Sequence, residues 1–403
     1  MRTAPRVGVF GLLGSGNLGN DGSLEAVLGY LRAEHPDAAV DALCGGPGTV
    51  TARYGIPATR LHWNRGEYRT ASRVGAVAAK GVGKLVDIAR TAAWVRRHDV
   101  VIVPGMGVLE ATLPLRPWGF PYSLFLLCAS GRLLRTRVAL VGVGAAPIRD
   151  RPTRALVRLS ARLAAYRSYR DELSRDAMRA MGVDTTRDEV YPDLAFALPT
   201  PPPGTADGTV CVGVMDFHGG NDDRARAEEI HRRYVEGTTR FVRALVEEGR
   251  PVRLLTGDAC DTSVVEAIIE AVDSPLVTAA ETASLTDLMR ELAAADSAVA
   301  TRYHNLVCAL KAGTPTLALS YAAKSDALMD RMGLGPYCHP AREVDADRLL
   351  EQFRALEKQS AELRRTLAER NRLAERQLRD QFAELSAVLF PKPQDAHAPR
   401  ETP

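Results

Sequence analysis

The segment Val299-Ala300-Thr301-Arg302-Tyr303-His304-Asn305-Leu306 combines a cation, an imidazole and a strand-to-helix turn. An apolar strand, Ser297–Ala300, is expected before it and a helix from Leu306 to Ala312 after it. Arg302 and His304 stand two apart, so on an extended strand end both side chains face one side. A guanidinium and an imidazole at a helix N-terminus make an anion site with a titratable proton donor. Twenty residues after His304 comes Lys324, again just past an expected strand, in Ser320-Tyr321-Ala322-Ala323-Lys324. Only six of the chain's 52 basic residues are lysines, which draws attention to this one.

Three further turns carry polar groups at expected strand ends. Gly14-Ser15-Gly16-Asn17-Leu18-Gly19-Asn20-Asp21-Gly22 links a strand to a helix. Its glycines let a ligand approach the backbone, and the helix start offers unpaired N–H groups to an anion. A tight turn without a ligand is the plain alternative. Gly14, Gly16 and Gly19 match a dinucleotide fingerprint, but that fingerprint also wants an acidic residue closing the second strand. Here that strand closes on Ala42-Leu43-Cys44-Gly45, with Asp41 too early, so no nicotinamide cofactor is expected. Pro104-Gly105-Met106-Gly107-Val108-Leu109-Glu110 is either a sugar-hydroxyl site bearing a carboxylate or a turn with a surface Glu110. Ser168-Tyr169-Arg170-Asp171-Glu172-Leu173-Ser174 reads as a carboxylate- or phosphate-binding Arg170, or as a surface ion pair opening a helix.

Short apolar runs alternating with helical patterns must position these turns, which argues for parallel α/β sheets. Strands are expected at Arg6–Leu12, Ala39–Cys44, Val100–Val103, Arg137–Val143 and Ala164–Ser168, then at Thr209–Met215, Val252–Thr256, Ser297–Ala300 and Thr316–Ser320. Pro199 through Gly208 holds four prolines and two glycines, which no helix or central strand accommodates. The expected organisation is a first lobe over 1–198, a linker over 199–208, a second lobe over 209–344, a helical segment over 345–390 and a loose tail over 391–403. Ser284-Leu285-Thr286-Asp287 resembles a capping box. Apolar residues three or four apart between Asp345 and Leu389 predict helix, packed on the lobes rather than paired in a coiled coil.

Composition narrows the class. The net charge of +3 is too small to argue for a nucleic-acid partner. The six cysteines form no CxxC and no metal-ligand pattern, and most sit in apolar stretches, as in a reducing compartment. No leader and no run of ~18 apolar residues stands out, so a cytoplasmic enzyme with no metal is expected. Between Arg69 and Arg97 seven basic residues surround the single carboxylate Asp87. This face is either solvated or meets anionic lipid headgroups or a lipid-linked acceptor, which would make the protein peripheral on the inner face of the membrane. No P-loop, HExxH, GxSxG or EF-hand loop occurs.

Taken in order, these motifs resemble the polysaccharide pyruvyl transferase family. Gly14–Asp21 looks like its Gly-x-x-Asn-x-Gly-Asp turn, with Asn20 intruding before Asp21. Pro104–Gly107 stands for its Gly-rich turn, although consecutive glycines are common there. Arg170, Asp171 and Ser174 fit Arg-Asp-x-x-Ser, and Asp193 precedes an aromatic. Arg302 and His304 fit Arg-x-His, Gly313-Thr314-Pro315 a Gly-x-Pro strand start, and Ser320, Tyr321 and Lys324 a Ser-Tyr-x-x-Lys.

The resemblance implies two Rossmann-like lobes, similar to the twin-Rossmann (GT-B-like) glycosyltransferases, with the site in the cleft between them. It implies phosphoenolpyruvate as donor, no other cofactor, and a saccharide or lipid-linked saccharide as acceptor. Arg170, Arg302 and Lys324 would then hold the donor's carboxylate and phosphate. His304 would be the proton donor and Asp21 or Glu110 the base, with Gly16, Asn17, Gly19, Gly105 and Gly107 lining the turns. A nucleotide-sugar glycosyltransferase of similar fold is the nearest rival, but the stretch Arg302–Lys324 holds cations and no carboxylate for a ribose. A non-catalytic saccharide-binding protein is the rival from another class.

Overall fold

The computed structural model describes residues 4–63, 73–110, 118–202, 204 and 207–391, the side chains of 73–80 and 221 excepted. It divides into two compact units. The first comprises Met1–Ser15, Ser23–Leu194 and Gln377–Pro403, the second Gly16–Gly22 and Ala195–Arg376.

The first unit holds strands β1 (Arg6–Gly11), β2 (Ala39–Cys44), β3 (Ala58–Arg60), β4 (Val100–Pro104), β5 (Arg137–Val143), β6 (Tyr166–Tyr169) and β7 (Glu189–Val190). Their order is β3-β2-β1-β4-β5-β6-β7, and every pairing is parallel. Helices α1 (Leu18–Glu34), α2 (Pro47–Tyr54), α3 (Arg73–Val95), α4 (Phe120–Leu134), α5 (Arg151–Leu163) and α6 (Glu172–Ala180) alternate with them. Every residue of β4 is buried, as its unalternating Val100-Val101-Ile102-Val103 requires of a strand covered on both faces.

The second unit holds β8 (Val210–Gly213), β9 (Val252–Leu255), β10 (Val277–Ala279), β11 (Ser297–Ala300), β12 (Thr316–Ser320) and β13 (Cys338–Pro340). Its parallel sheet runs β10-β9-β8-β11-β12-β13. Helices α7 (Ala227–Glu247), α8 (Thr262–Val272), α9 (Leu285–Ala294), α10 (Tyr303–Ala312), α11 (Ala323–Arg331), α12 (Ala346–Lys358) and α13 (Ser360–Leu389) follow. Strand order reverses between β1 and β4 in one sheet and between β8 and β11 in the other. Within each sheet, the loops at the carboxyl ends of those two strands flank the position where an open α/β sheet binds ligands.

All nine strands expected from the sequence are present, with β6 displaced to Tyr166–Tyr169 because α5 runs on to Leu163. The unexpected strands β3, β7, β10 and β13 are two or three residues long and lie at or next to sheet edges. Compactness also divides the chain differently from contiguous lobes. The turn opening α1 groups with the second unit because Leu18 N–H donates to the Gly257 carbonyl at 3.3 Å. The end of α13 groups with the first, where Gln381 Nε2 donates to Ser168 Oγ at 2.7 Å and Phe382 stacks on Tyr30. Its earlier turns belong to the second unit, where Arg364 Nη2 donates to the Asp296 carbonyl and Asn371 Nδ2 to the last carbonyls of α10. Of the expected linker, Gly204 N–H and Gly208 N–H bond to Ala293 and Asp296 of the second unit. The expected tail lies outside the described residues beyond Pro391.

No described helix is long and apolar enough to cross a membrane. On α3, Val82 and Leu85 are 55% and 67% exposed and Ile88 shares their side, while Trp94 and Asp87 are buried. Lys84 and Arg90 both lie 3.8 Å from Asp87, so the lone carboxylate partly neutralises the basic face. Arg69 lies outside the described residues.

The sequence-level cap at Ser284 is realised: Ser284 Oγ accepts from Asp287 N–H at 2.9 Å and donates to Asp287 Oδ2 at 2.7 Å. We expect Ser284→Ala to cost about 1 kcal/mol, the usual loss for an N-cap hydroxyl. Urea unfolding at constant slope checks this; an unchanged midpoint would show that the cap contributes nothing.

Candidate functional site

In the second unit, the site is organised by a residue the sequence did not single out. Asp261 is fully buried just after β9. Its carboxylate accepts N–H bonds from Gly257 (3.1 Å), Asp258 (3.0 Å) and Asp216 (2.9 Å). It also receives both Nε and Nη2 of Arg302, at 2.9 and 2.6 Å. Burial alone would draw the Arg302 guanidinium down; the Asp261 fork overrides it and raises the guanidinium above its usual range. Asp261 engages one edge of the planar group, so Nη1 is the end it leaves to other partners, and the side chain keeps 19% exposure. The available signal was Gly257-Asp258-Ala259-Cys260-Asp261 directly after an expected strand.

The expected side-by-side display of Arg302 and His304 on an extended end is corrected. The helix begins at Tyr303, three residues earlier than expected, and Arg302 is its N-cap with φ −61° and ψ 135°. Arg302 therefore turns to Asp261, while His304, in the first turn of α10, turns to Gly19. A Cβ on Gly19 would fall inside the His304 imidazole, so only glycine admits the ring there. Asn17 fixes this turn: its Oδ1 accepts from Asn20 N–H at 3.2 Å and its Nδ2 donates to Asp258 Oδ2 at 3.0 Å. Gly16, at φ +97°, supplies the left-handed bend before it. Asp21 is buried in the first turn of α1. Lys324, at the start of α11, sits 5.9 Å from the ring centroids of both Tyr303 and Tyr321. The second unit thus assembles Arg302, His304, Lys324, Gly16, Asn17, Gly19 and Asp21 around helix N-termini, whose partial positive charge favours an anion.

The remaining expected residues gather in the first unit. Arg170, buried past β6, donates from Nη2 to Glu110 Oε1 at 2.8 Å and lies 3.7 Å from Asp193 and 3.6 Å from Asp171. Glu110 is buried against it rather than on the surface. A Cβ on Gly144 would come within 2.6 Å of both partners of that pair, and one on Gly107 within 2.8 Å of the Glu110 carboxyl carbon. Gly105 takes φ +50° and packs against Ser23. Asp171 caps α6 by accepting from Ser174 N–H at 2.7 Å, and Ser174 Oγ accepts from Ala145 N–H in the loop after β5. The Arg-Asp-x-x-Ser motif is thus a scaffold presenting Arg170 to three carboxylates, and the surface-ion-pair alternative falls.

A third group escaped the sequence reading, in which no clustered His ligands were found. Asp216 and His218, in the loop after β8, meet His231 of α7, and one ligand atom from each lies within 4.8 Å of the others. The signal was Asp-x-His at an expected strand end; its partner lies thirteen residues on from His218, past a helix start.

The model of the polysaccharide pyruvyl transferase family matches residues 17–322, well over half of the 403. No protein of curated function matches significantly by sequence. By fold, the chain is similar to a UDP-N-acetylglucosamine 2-epimerase (TM-score 0.62, 13% identity, covering 100% of this chain and 99% of that one). It is also similar to the Neisseria meningitidis UDP-GlcNAc 2-epimerase solved with UDP-GlcNAc (0.59, 11%, 96% and 100%). The Anabaena HepE protein solved with UDP and glucose is a third (0.56, 11%, 96% and 100%). At such identities these structures share the two-lobed, GT-B-like fold alone. The ordered motifs, the two parallel sheets and the family match over most of its length together make this chain a member of the polysaccharide pyruvyl transferase family.

Proposed function

We propose that the protein transfers the pyruvyl group of phosphoenolpyruvate to two hydroxyls of a saccharide, forming a pyruvate ketal and releasing phosphate. The observation that carries this reading is the Asp261-braced Arg302 at the N-terminus of α10, with His304 in the same turn. A donor with two anionic groups needs fixed cations, and its enol phosphate needs a proton at the methylene. Arg302 and Lys324 supply positive charge, and the α10 and α11 N-termini add partial charge. His304 protonates the methylene carbon as general acid. The first sugar hydroxyl adds to the neighbouring carbon and gives up its proton. The carbon–oxygen bond to phosphate then breaks, and the second hydroxyl adds. One hydroxyl proton restores the acid and the other leaves with phosphate, so the protons balance. The donor carries the activated group itself, so the transfer calls for no further cofactor.

Arg170 suits the donor less well than Arg302, because three carboxylates of the chain already surround it. That acidic cluster fits a hydroxyl-bearing acceptor better than an anion. Glu110 accepts a hydrogen bond from Arg170 at 2.8 Å and is held against it. Asp21, two residues from the Gly19 that seats His304, is the base we favour. The exposed apolar stripe Val82, Leu85 and Ile88 beside basic residues supports a cytoplasmic protein that touches the inner membrane face, where a lipid-linked acceptor would reside.

His304→Ala and Asp21→Asn should each lower kcat by about 10²- to 10⁴-fold with the fold intact, and Gly19→Ala should mimic the first by displacing the ring. Phosphate release and product mass, with phosphoenolpyruvate and with UDP-sugars as rival donors, decide this; His304→Ala within threefold of the parent would remove His304 from the mechanism.

Arg302→Lys keeps the charge but loses the fork that Asp261 grips. The expected result is a raised KM for phosphoenolpyruvate and a lowered kcat. An unchanged donor KM would mean that Arg302 does not touch the donor.

Sedimentation with anionic and neutral liposomes tests the membrane contact. Salt-sensitive binding to the anionic vesicles, weakened by Leu85→Glu, is expected; equal, negligible binding to both would leave α3 a solvated surface.

A further inference from the structure

We propose that Asp216, His218 and His231 bind one divalent transition-metal ion of the zinc class. The proposed site does not rest on the proposed transfer.

The loop that carries two of the ligands is built to hold them still. Phe217 is buried between Asp216 and His218 and packs on Tyr234 and Tyr321 at 5.7 and 6.0 Å between ring centroids. Backbone N–H groups on its near side are each tied: Val214 to the Leu255 carbonyl, Met215 to the Tyr234 hydroxyl at 3.1 Å, and Asp216 to Asp261 Oδ1 at 2.9 Å. With Phe217 pointing into the core, Asp216 and His218 reach the opposite side together. His231, from the second turn of α7, completes the set.

The three ligand atoms converge. His218 Nε2 lies 2.9 Å and His231 Nδ1 3.3 Å from the same Asp216 Oδ1. The imidazoles stack nearly parallel, 7° apart with centroids at 4.3 Å. Ligands of a tetrahedral zinc ion with bonds of about 2.0–2.1 Å stand about 3.3 Å from one another. The two separations to Asp216 are therefore close to ligand spacing, the three atoms lie within 4.8 Å of one another, and a small outward shift of the carboxylate admits an ion.

His231 Nδ1 adds an independent sign. That atom is buried and makes no hydrogen bond among the described residues, its approach to Asp216 being too poorly directed to count as one. A buried polar atom left so is costly, and a coordinated cation removes the cost. Two imidazoles and one carboxylate select zinc, cobalt, nickel or copper over magnesium or calcium, which prefer oxygen ligands. Side-chain exposures of 41%, 29% and 27% for His218, Asp216 and His231 leave room for water in a fourth position. Because Asp216 N–H holds Asp261, an ion here would brace the loop behind Arg302.

The test uses the full chain, freed of any affinity tag, stripped with EDTA and dialysed, then titrated calorimetrically with Zn²⁺ and followed by visible absorption with Co²⁺. The expected result is one site per chain and a cobalt spectrum of low coordination number. His231→Ala, His218→Ala and Asp216→Asn should each weaken binding at least tenfold, and binding should weaken in acid because coordination needs neutral imidazole. Cys260→Ser, removing the exposed thiol nearby, should leave binding unchanged. Absence of a site, binding that survives both His218→Ala and His231→Ala, or binding lost with Cys260→Ser would each overturn the proposal. His218→Ala, the most exposed of the three, serves should His231→Ala fail to fold.

Discussion

The second unit depends on a single buried carboxylate. A charge inside a protein is tolerable only when its lone pairs are filled, and Asp261 fills them from three directions. It takes the amide of Asp216 after β8, the amides of Gly257 and Asp258 after β9, and the Arg302 fork after β11. The loops flanking the reversal of strand order are thereby tied to one another through one side chain. Arg302 owes its orientation to this brace, and Asp258, in the same turn, carries the constraint on to Asn17 at the start of α1.

Arg170 in the first unit is held by the opposite arrangement. Three carboxylates converge on one guanidinium, and a glycine at 144 leaves the space in which its closest pair forms. The first unit's group is acidic and internally engaged, whereas Arg302 offers an edge that its carboxylate does not occupy. The contrast fits a division between hydroxyl-bearing and anionic substrates, as the proposed transfer requires.

Fold and chemistry are separate levels of evidence for this chain. Doubly wound parallel sheets serve many reactions, and the epimerases that share the fold do so at 11–13% identity. The family is shown instead by the sequence match over residues 17–322.

Much of the architecture was legible because it is local. Unalternating Val100–Val103 marked a doubly covered strand, Ser284 with Asp287 marked a helix start, and the three- and four-residue spacing after Asp345 marked one helical segment, which the structure divides into α12 and α13. The polar turns at strand ends were located as well, since glycines and polar residues after an apolar run mark where a strand stops. The short strands β3, β7, β10 and β13 were not legible: two or three residues carry no periodicity, and pairing with a neighbouring strand alone makes them strands. The start of α10 at Tyr303 was missed because nothing in Arg302-Tyr303-His304 itself signals a cap; Asp261, 41 residues away in sequence, holds Arg302 in the extended conformation that ends the strand. Asp216, His218 and His231 meet only because Phe217 is drawn into the core and α7 folds back over the sheet. The sequence by itself determined which segments become strands and helices and which turns bear charge. The tertiary structure decided which charges meet, because a buried carboxylate or imidazole takes its partners from wherever in the chain they can satisfy it.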